Sequence, residues 1–175
     1  MHINNKAIII IDMLNDFIDK KGALYCGEGA RKIIPFIKNR LEFYRKINGL
    51  IIYITDSHDK NDMEFDRFLP HCITGTWGSR IIPEIKPLAH EKIIKKNRYS
   101  GFFKTDLEKT LTLSGAREVE VVGVCTSICV MDTVAGLANR DYTIFVPAKG
   151  VADFNAQLHD FSLERMKQVY GANII

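Results

Sequence analysis

Long hydrophobic runs are missing from this chain. No apolar stretch approaches the roughly 20 residues of a membrane-spanning helix. The opening Met1-His2-Ile3-Asn4-Asn5-Lys6 lacks the apolar core of a secretory leader, so none is expected. A dominant charge is missing too. The net charge is +3 and is spread along the chain, which leaves no footprint for nucleic acid or a membrane surface. Cysteine is sparse: Cys26, Cys72, Cys125 and Cys129, with no CxxC pair. That excludes a zinc ribbon, argues against a disulfide scaffold and suits a reducing compartment, so a cytoplasmic protein is expected. Repeats, low-complexity segments and linkers are absent. What remains is 175 residues of ordinary globular composition, 46% hydrophobic and 26% charged, enough to bury a core without staples. One domain over residues 1–175 is the expectation.

The apolar residues come in short runs rich in β-branched side chains. Lys6 to Ile11 (KAIIII), Leu50 to Thr55 (LIIYIT), Glu91 to Lys95 (EKIIK), Glu118 to Val124 (EVEVVGV) and Tyr142 to Val146 (YTIFV) read as strands, and Ala172 to Ile175 as a short sixth. Between them apolar residues recur at helical spacing. One helix carries Ile33, Ile37, Leu41 and Tyr44, with Pro35 tolerated in its early turns and Asn48-Gly49 closing it. Thr105-Asp106-Leu107-Glu108 has capping-box spacing ahead of Leu107 and Leu111. Asp153 or Asn155 is the expected cap of a last helix carrying Leu158, Phe161, Met166 and Val169. Alternation of strand with helix or loop implies an α/β fold around a mostly parallel sheet of about six strands with right-handed crossovers.

The segment Glu118 to Asn139 (EVEVVGVCTSICVMDTVAGLAN) passes tightly from strand to helix, with Val130, Val134, Leu137 and Ala138 at helical spacing. Thr126 and Ser127 are natural caps, which puts Cys129 in the first helical turn. Unpaired N–H groups and the positive dipole end there favour a thiolate, so a lowered pKa is expected, and the same N–H groups suit an oxyanion. A free cysteine is also often buried and inert, so this segment alone leaves both readings open.

Other strand ends carry chemistry as well. Asp12 ends the first strand, where partial desolvation raises a carboxyl toward a general base's range; capping a turn is the alternative. Asp56-Ser57-His58 follows the second strand, then Glu64 and His71: carboxylate and imidazole donors of a kind that suits Zn²⁺, Fe²⁺ or Mn²⁺, or else ordinary loop residues. Lys96 follows the third strand and can hold a neighbouring thiolate and carboxylate charged; a solvated lysine is the plainer reading. In open parallel sheets ligands bind at the carboxyl ends of strands. Asp12, Asp56, His58, Lys96 and Cys129 therefore converge on one edge, which favours a catalytic Cys129.

Ile10-Ile11-Asp12-Met13-Leu14-Asn15-Asp16-Phe17, the Lys96-Asn97-Arg98-Tyr99-Ser100-Gly101-Phe102 segment and Gly123-Val124-Cys125-Thr126-Ser127-Ile128-Cys129-Val130 resemble the three signature blocks of the isochorismatase-like cysteine hydrolases. The resemblance covers nearly the whole chain. It implies a Rossmann-like three-layer sandwich with Asp12, Lys96 and Cys129 as a catalytic triad. It also implies an oxyanion hole from the backbone N–H groups of Cys125 and Cys129, and a cis peptide bond just before residue 125. Asp56-Ser57-His58 with Pro70-His71-Cys72 and Gly75-Thr76 is similar to the metal-binding nicotinamidase (pyrazinamidase) branch; isochorismatases proper use no metal. That implies one divalent ion, zinc first and iron or manganese otherwise, on Asp56, His58, His71 and a fourth ligand, Glu64. It further implies nicotinamide as a small amide substrate held by Phe17, Phe68 and Tyr99, hydrolysed to nicotinate and ammonia in NAD salvage. A homo-oligomer is the family's common state. Alternatives within the superfamily are a ureido, carbamoyl or other heteroaromatic amide. From other classes come a non-catalytic metabolite-binding relative and, ranked last, a redox protein using Cys125 and Cys129.

Overall fold

Isoleucine and valine runs with apolar side chains on both faces demand cover on both sides, and the sheet receives it. The computed structural model describes residues 5–175; Met1 to Asn4, at the start of the segment read as lacking a leader, lie outside the described residues. The strands are β1 (Lys6–Ile11), β2 (Leu50–Asp56), β3 (Lys92–Lys96), β4 (Glu118–Val124), β5 (Thr143–Val146), β6 (Val151–Ala152) and β7 (Asn173–Ile174). Their order is β3-β2-β1-β4-β5-β7, with β6 against β4, and each of these pairings is parallel.

The helices are α1 (Asn15–Ile18), α2 (Gly27–Lys32), α3 (Ile34–Lys46), α4 (Leu107–Ser114), α5 (Met131–Ala138) and α6 (Ala156–Tyr170). Along β1, Ile8 and Ile10 pack with Ile37, Leu41 and Tyr44 of α3 on one face. Ala7, Ile9 and Ile11 pack with Leu107 of α4, Val134 of α5 and Met166 of α6 on the other. Alternation at period 2 thus supplies two cores and three layers. Each fully buried isoleucine contributes about 2 kcal/mol. Among the described residues no helix is long and apolar enough to cross a membrane.

Several local expectations shift. β3 ends on Lys96 and β2 on Asp56, so these charged groups belong to the strands instead of following them. β6 brings the sheet to seven strands; two residues are too few to show periodicity. Asn155 caps α6 by accepting from the Leu158 N–H at 3.0 Å. The expected capping box does not close: Thr105 Oγ1 accepts from the Leu107 N–H at 3.2 Å, but Glu108 turns away to Arg140. On α6 only Ser162 and Met166 are buried, while Leu158, Phe161 and Val169 stay exposed. That helix packs on α5, on the turn before it and on the edge strand β7, so only a narrow stripe of it is covered.

Candidate active site

Successive strands are added to one side of β1 up to β3 and to the other side from β4 on, so the sheet has its switch point between β1 and β4, where a crevice is expected at the carboxyl ends. Asp12 is the first residue past β1. It takes φ 52°, a left-handed conformation that aspartate adopts more readily than most side chains. Its N–H donates to Ile54 O at 2.9 Å, and its Oδ1 accepts from the Asp56 N–H at 2.8 Å. Asp56 and Lys96 face each other in register at the ends of β2 and β3.

On the other side, Gly123 has φ +121°, and a Cβ there would stand 2.0 Å from Ile11 O. Only glycine lets β4 close on β1 at that point. The following Val124–Cys125 peptide bond is cis. Thr126–Val130 then forms a π-helical turn into α5 and carries Cys129 into the crevice. The expected Thr126 and Ser127 side-chain caps are not made. Thr126 Oγ1 pairs with His159 Nδ1 at 2.9 Å, and the Ser127 N–H is held at 2.8 Å by Asp153, a carboxylate 26 residues away.

Lys96 is the hub of a buried charge cluster. Its Nζ lies 2.8 Å from Asp12 Oδ2 and 3.4 Å from Cys129 Sγ, and it donates to Asp56 Oδ1. Burial works against its charge, but Asp12, Asp56 and Cys129 hold the ammonium on, well above its usual range. Burial first, then the charge of Asp56, pushes the Asp12 carboxyl up to about 6 against the pull of Lys96. Asp56 goes the other way. Burial opposes ionisation, but the Lys96 ammonium, with the imidazoles of His58 and His71 close by, holds it below the usual carboxylate range.

Cys129 corrects the sequence expectation. Its thiol is raised well above its ordinary value, not lowered. Burial dominates and two carboxylates add to it; Lys96 opposes them without prevailing. A helix N-terminus favours a thiolate only where water or net positive charge helps, and this sulfur has neither. The proton rests on sulfur, and at neutral pH the nearby Asp12 is mostly an acceptor. Asp12 Oδ2, though ion-paired with Lys96, is buried without a well-directed hydrogen bond.

The second oxygen of Asp56 faces a different group. Oδ2 lies 3.6 Å from His58 Nε2 and 3.7 Å from His71 Nε2, and Glu64 Oε1 is 4.0 Å from His71 Nε2. A 3-10 turn, Met63–Asp66, rotates Glu64 inward to 3% exposure. These spacings sit slightly above the ~3.4 Å edge of a tetrahedron with metal–ligand bonds of ~2.1 Å. His58 Nε2 and Glu64 Oε2 are buried with no hydrogen-bond partner among the described residues. Two acceptor atoms left bare beside a carboxylate suit a divalent cation, so the donor set fits the metal that the resemblance implies.

Both groups border one cavity of about 480 Å³. Phe17, Phe68 and Tyr99, which the resemblance assigns to the amide pocket, lie on its wall, and Phe17 and Phe68 also pack on His71, with ring centroids 5.5 and 6.3 Å away. Cys125 lines it too. Its sulfur meets Cys26 Sγ at 3.2 Å, so its thiol partner is Cys26 and not Cys129. Sequence reasoning missed Leu24, Tyr25, Ile128 and Phe154 on the cavity wall. It also missed Asp16, which holds the Ala23 N–H at 3.1 Å and the Cys72 N–H at 2.7 Å and so ties two lining segments together. Nothing local marks those residues. Asp62, four residues after His58 and bonded to its ring at 3.1 Å, did leave a visible spacing.

The sequence matches the Isochorismatase domain over residues 6–175. An uncharacterized isochorismatase family protein, PncA of Bacillus subtilis (strain 168), is 36% identical, with 97% of this chain and 98% of that protein aligned. Among solved structures, the nicotinamidase/pyrazinamidase PncA from Bacillus subtilis superposes with a TM-score of 0.93 at 34% identity, covering 98% of this chain and 99% of that one. The pyrazinamidase of Pyrococcus horikoshii, solved in complex with zinc, gives a TM-score of 0.92 at 28% identity and the same coverage.

Proposed function

The chain belongs to the isochorismatase family, and we propose that within it the protein is a metal-dependent nicotinamidase, hydrolysing nicotinamide to nicotinate and ammonia. The observation that carries this reading is the make-up of the cavity. Aromatic and aliphatic walls surround Cys129 and the Asp56–His71–Glu64 cluster, and no lysine or arginine among the described residues lines the space. A flat, uncharged heteroaromatic amide fits such walls. A ureido or carbamoyl substrate bearing a free carboxylate would find, among the described residues, no lining lysine or arginine to receive it, and Asp12 beside the nucleophile would repel it.

In this reading Cys129 is the nucleophile. Asp12 takes the thiol proton as sulfur attacks the amide carbon, and Lys96 stays cationic throughout, balancing the charge as it moves. N–H groups at Cys125 and Cys129 receive the oxyanion. Asp12 returns the proton to the departing nitrogen, which leaves as ammonia while the acyl group stays on Cys129 as a thioester. Asp12 then deprotonates a water that attacks the thioester, giving nicotinate and restoring the thiol. Phe17, Phe68 and Tyr99 hold the ring. Asp56, His58, His71 and Glu64 would hold a divalent cation, zinc first, that supplies a Lewis-acid anchor for the ring nitrogen.

The test is ammonia release from nicotinamide by purified protein, before and after chelation, with a carboxylate-bearing ureido acid in parallel. Release from nicotinamide that falls on stripping and returns with Zn²⁺, Fe²⁺ or Mn²⁺ is expected. Preference for the ureido acid would move the protein to another branch of the family.

A further inference from the structure

One loop carboxylate holds two of the candidate ligands at once. Asp62 Oδ2 accepts from His58 Nδ1 at 3.1 Å, and Asp62 Oδ1 accepts from the Glu64 N–H at 2.9 Å, capping the short turn that carries Glu64. Arg98 Nη1 reaches both oxygens, at 2.9 and 3.0 Å, from two residues past Lys96. A carboxylate locked to a guanidinium only accepts hydrogen bonds, so a neutral His58 carries its proton on Nδ1 and presents Nε2 as a bare lone pair. That nitrogen is buried and unpartnered, as is Glu64 Oε2. Neither Asp62 nor Arg98 lines the cavity.

His71 offers a contrast. Its Nδ1 is held at 2.8 Å by a backbone carbonyl, Leu69 O, which no side-chain replacement can remove. For His58 the same task falls to a side chain, and the site depends on it.

We propose that Asp62, clamped by Arg98, is the positioning residue of the metal centre: it sets the His58 tautomer and the approach of Glu64, and through them the affinity for the ion. This inference rests on the metal reading above. It deepens that reading by naming a loop carboxylate and an arginine, outside the ligand set, that build the site. Outer carboxylates of this kind ordinarily account for about 10- to 100-fold in metal affinity.

The experiment uses the full chain, stripped by chelation and titrated with Zn²⁺ and Co²⁺ against a chromophoric chelator. Wild type is compared with Asp62→Ala, Asp62→Asn and Arg98→Met. We expect Asp62→Ala to weaken both ions about 10- to 100-fold and to change the visible Co²⁺ spectrum. Asp62→Asn keeps an acceptor for one partner only and should fall between, and Arg98→Met should lose several-fold. In metal-free protein at alkaline pH, the ring-nitrogen NMR shifts of His58 should report an Nδ1–H tautomer in wild type and a mixture in Asp62→Ala. A general packing defect would not produce that change. Thermal midpoints and Cys129 alkylation rates identify misfolding. If Asp62→Ala does not fold, the other two variants carry the same comparison. Variants that keep wild-type affinity, Co²⁺ spectrum and His58 tautomer overturn the proposal and leave the metal reading standing. A wild type that binds neither ion removes both.

Discussion

Glu120 and Lys96 are each 3% exposed and sit on the same sheet, yet their surroundings are built in opposite ways. Around Glu120 every demand is matched. Arg40 binds both oxygens, Nε to Oε1 at 2.7 Å and Nη2 to Oε2 at 2.5 Å, and the Tyr44 hydroxyl adds a contact at 3.3 Å. One anion meets one cation in bidentate geometry. Around Lys96 one cation meets two carboxylates and a thiol, and acceptor atoms of Asp12, His58 and Glu64 are left without hydrogen-bond partners among the described residues. A saturated cluster holds strands and helices together. An unsaturated one is tolerated only where its spare valences meet a ligand, a metal or a moving proton. The difference separates structural from functional burial within one molecule.

The largest effect should come from Cys129→Ala. Turnover is expected to fall by about four orders of magnitude or more, with the thermal midpoint little changed, because the replacement leaves no unpaired charge. An active Cys129→Ala enzyme, measured by ammonia release, would falsify the nucleophile assignment.

Glu120→Gln should do the reverse, lowering stability while leaving kcat alone. Losing one partner of a fully buried pair costs about 3–5 kcal/mol. The Arg40 side chain is 29% exposed and can turn to water, so about 2–3 kcal/mol is expected here, read by urea denaturation. A drop in kcat at unchanged stability would break the comparison.

The smallest effect is a pH limb. Asp12 works as a base only when ionised, and its carboxyl is pushed up to about 6. As pH falls through that value kcat/KM should fall, about tenfold per further unit. A profile flat down to pH ~4, near the ordinary carboxylate value, would remove Asp12 as the base. The same shift has a sign for stability. Asp12 holds its proton more tightly folded than unfolded, so its contribution is fully present below 3.8 and is lost as pH rises through about 6.

Much of this was legible residue by residue. The KAIIII run could only be a strand buried on both faces, and Asp12, Asp56, Lys96 and Cys129 could be placed at strand ends before any coordinates, because strand period and turn chemistry are local. The edges of elements were less legible. A capping box that never closes at Glu108 and an α6 with one covered stripe depend on partners such as Arg140 and β7, which no local window contains.

By itself, then, the sequence determined the α/β architecture, the order of the strands along the chain and the cast of groups at one sheet edge. Tertiary structure alone decided what those groups are. It makes Cys129 a thiol, splits Asp56 between Lys96 and the two histidines, and joins Asp62 to an arginine 36 residues away. Ionisation and hydrogen-bond direction depend on burial and on charges a few ångströms off. Those neighbours are brought together by folding, from positions that have no relation in sequence.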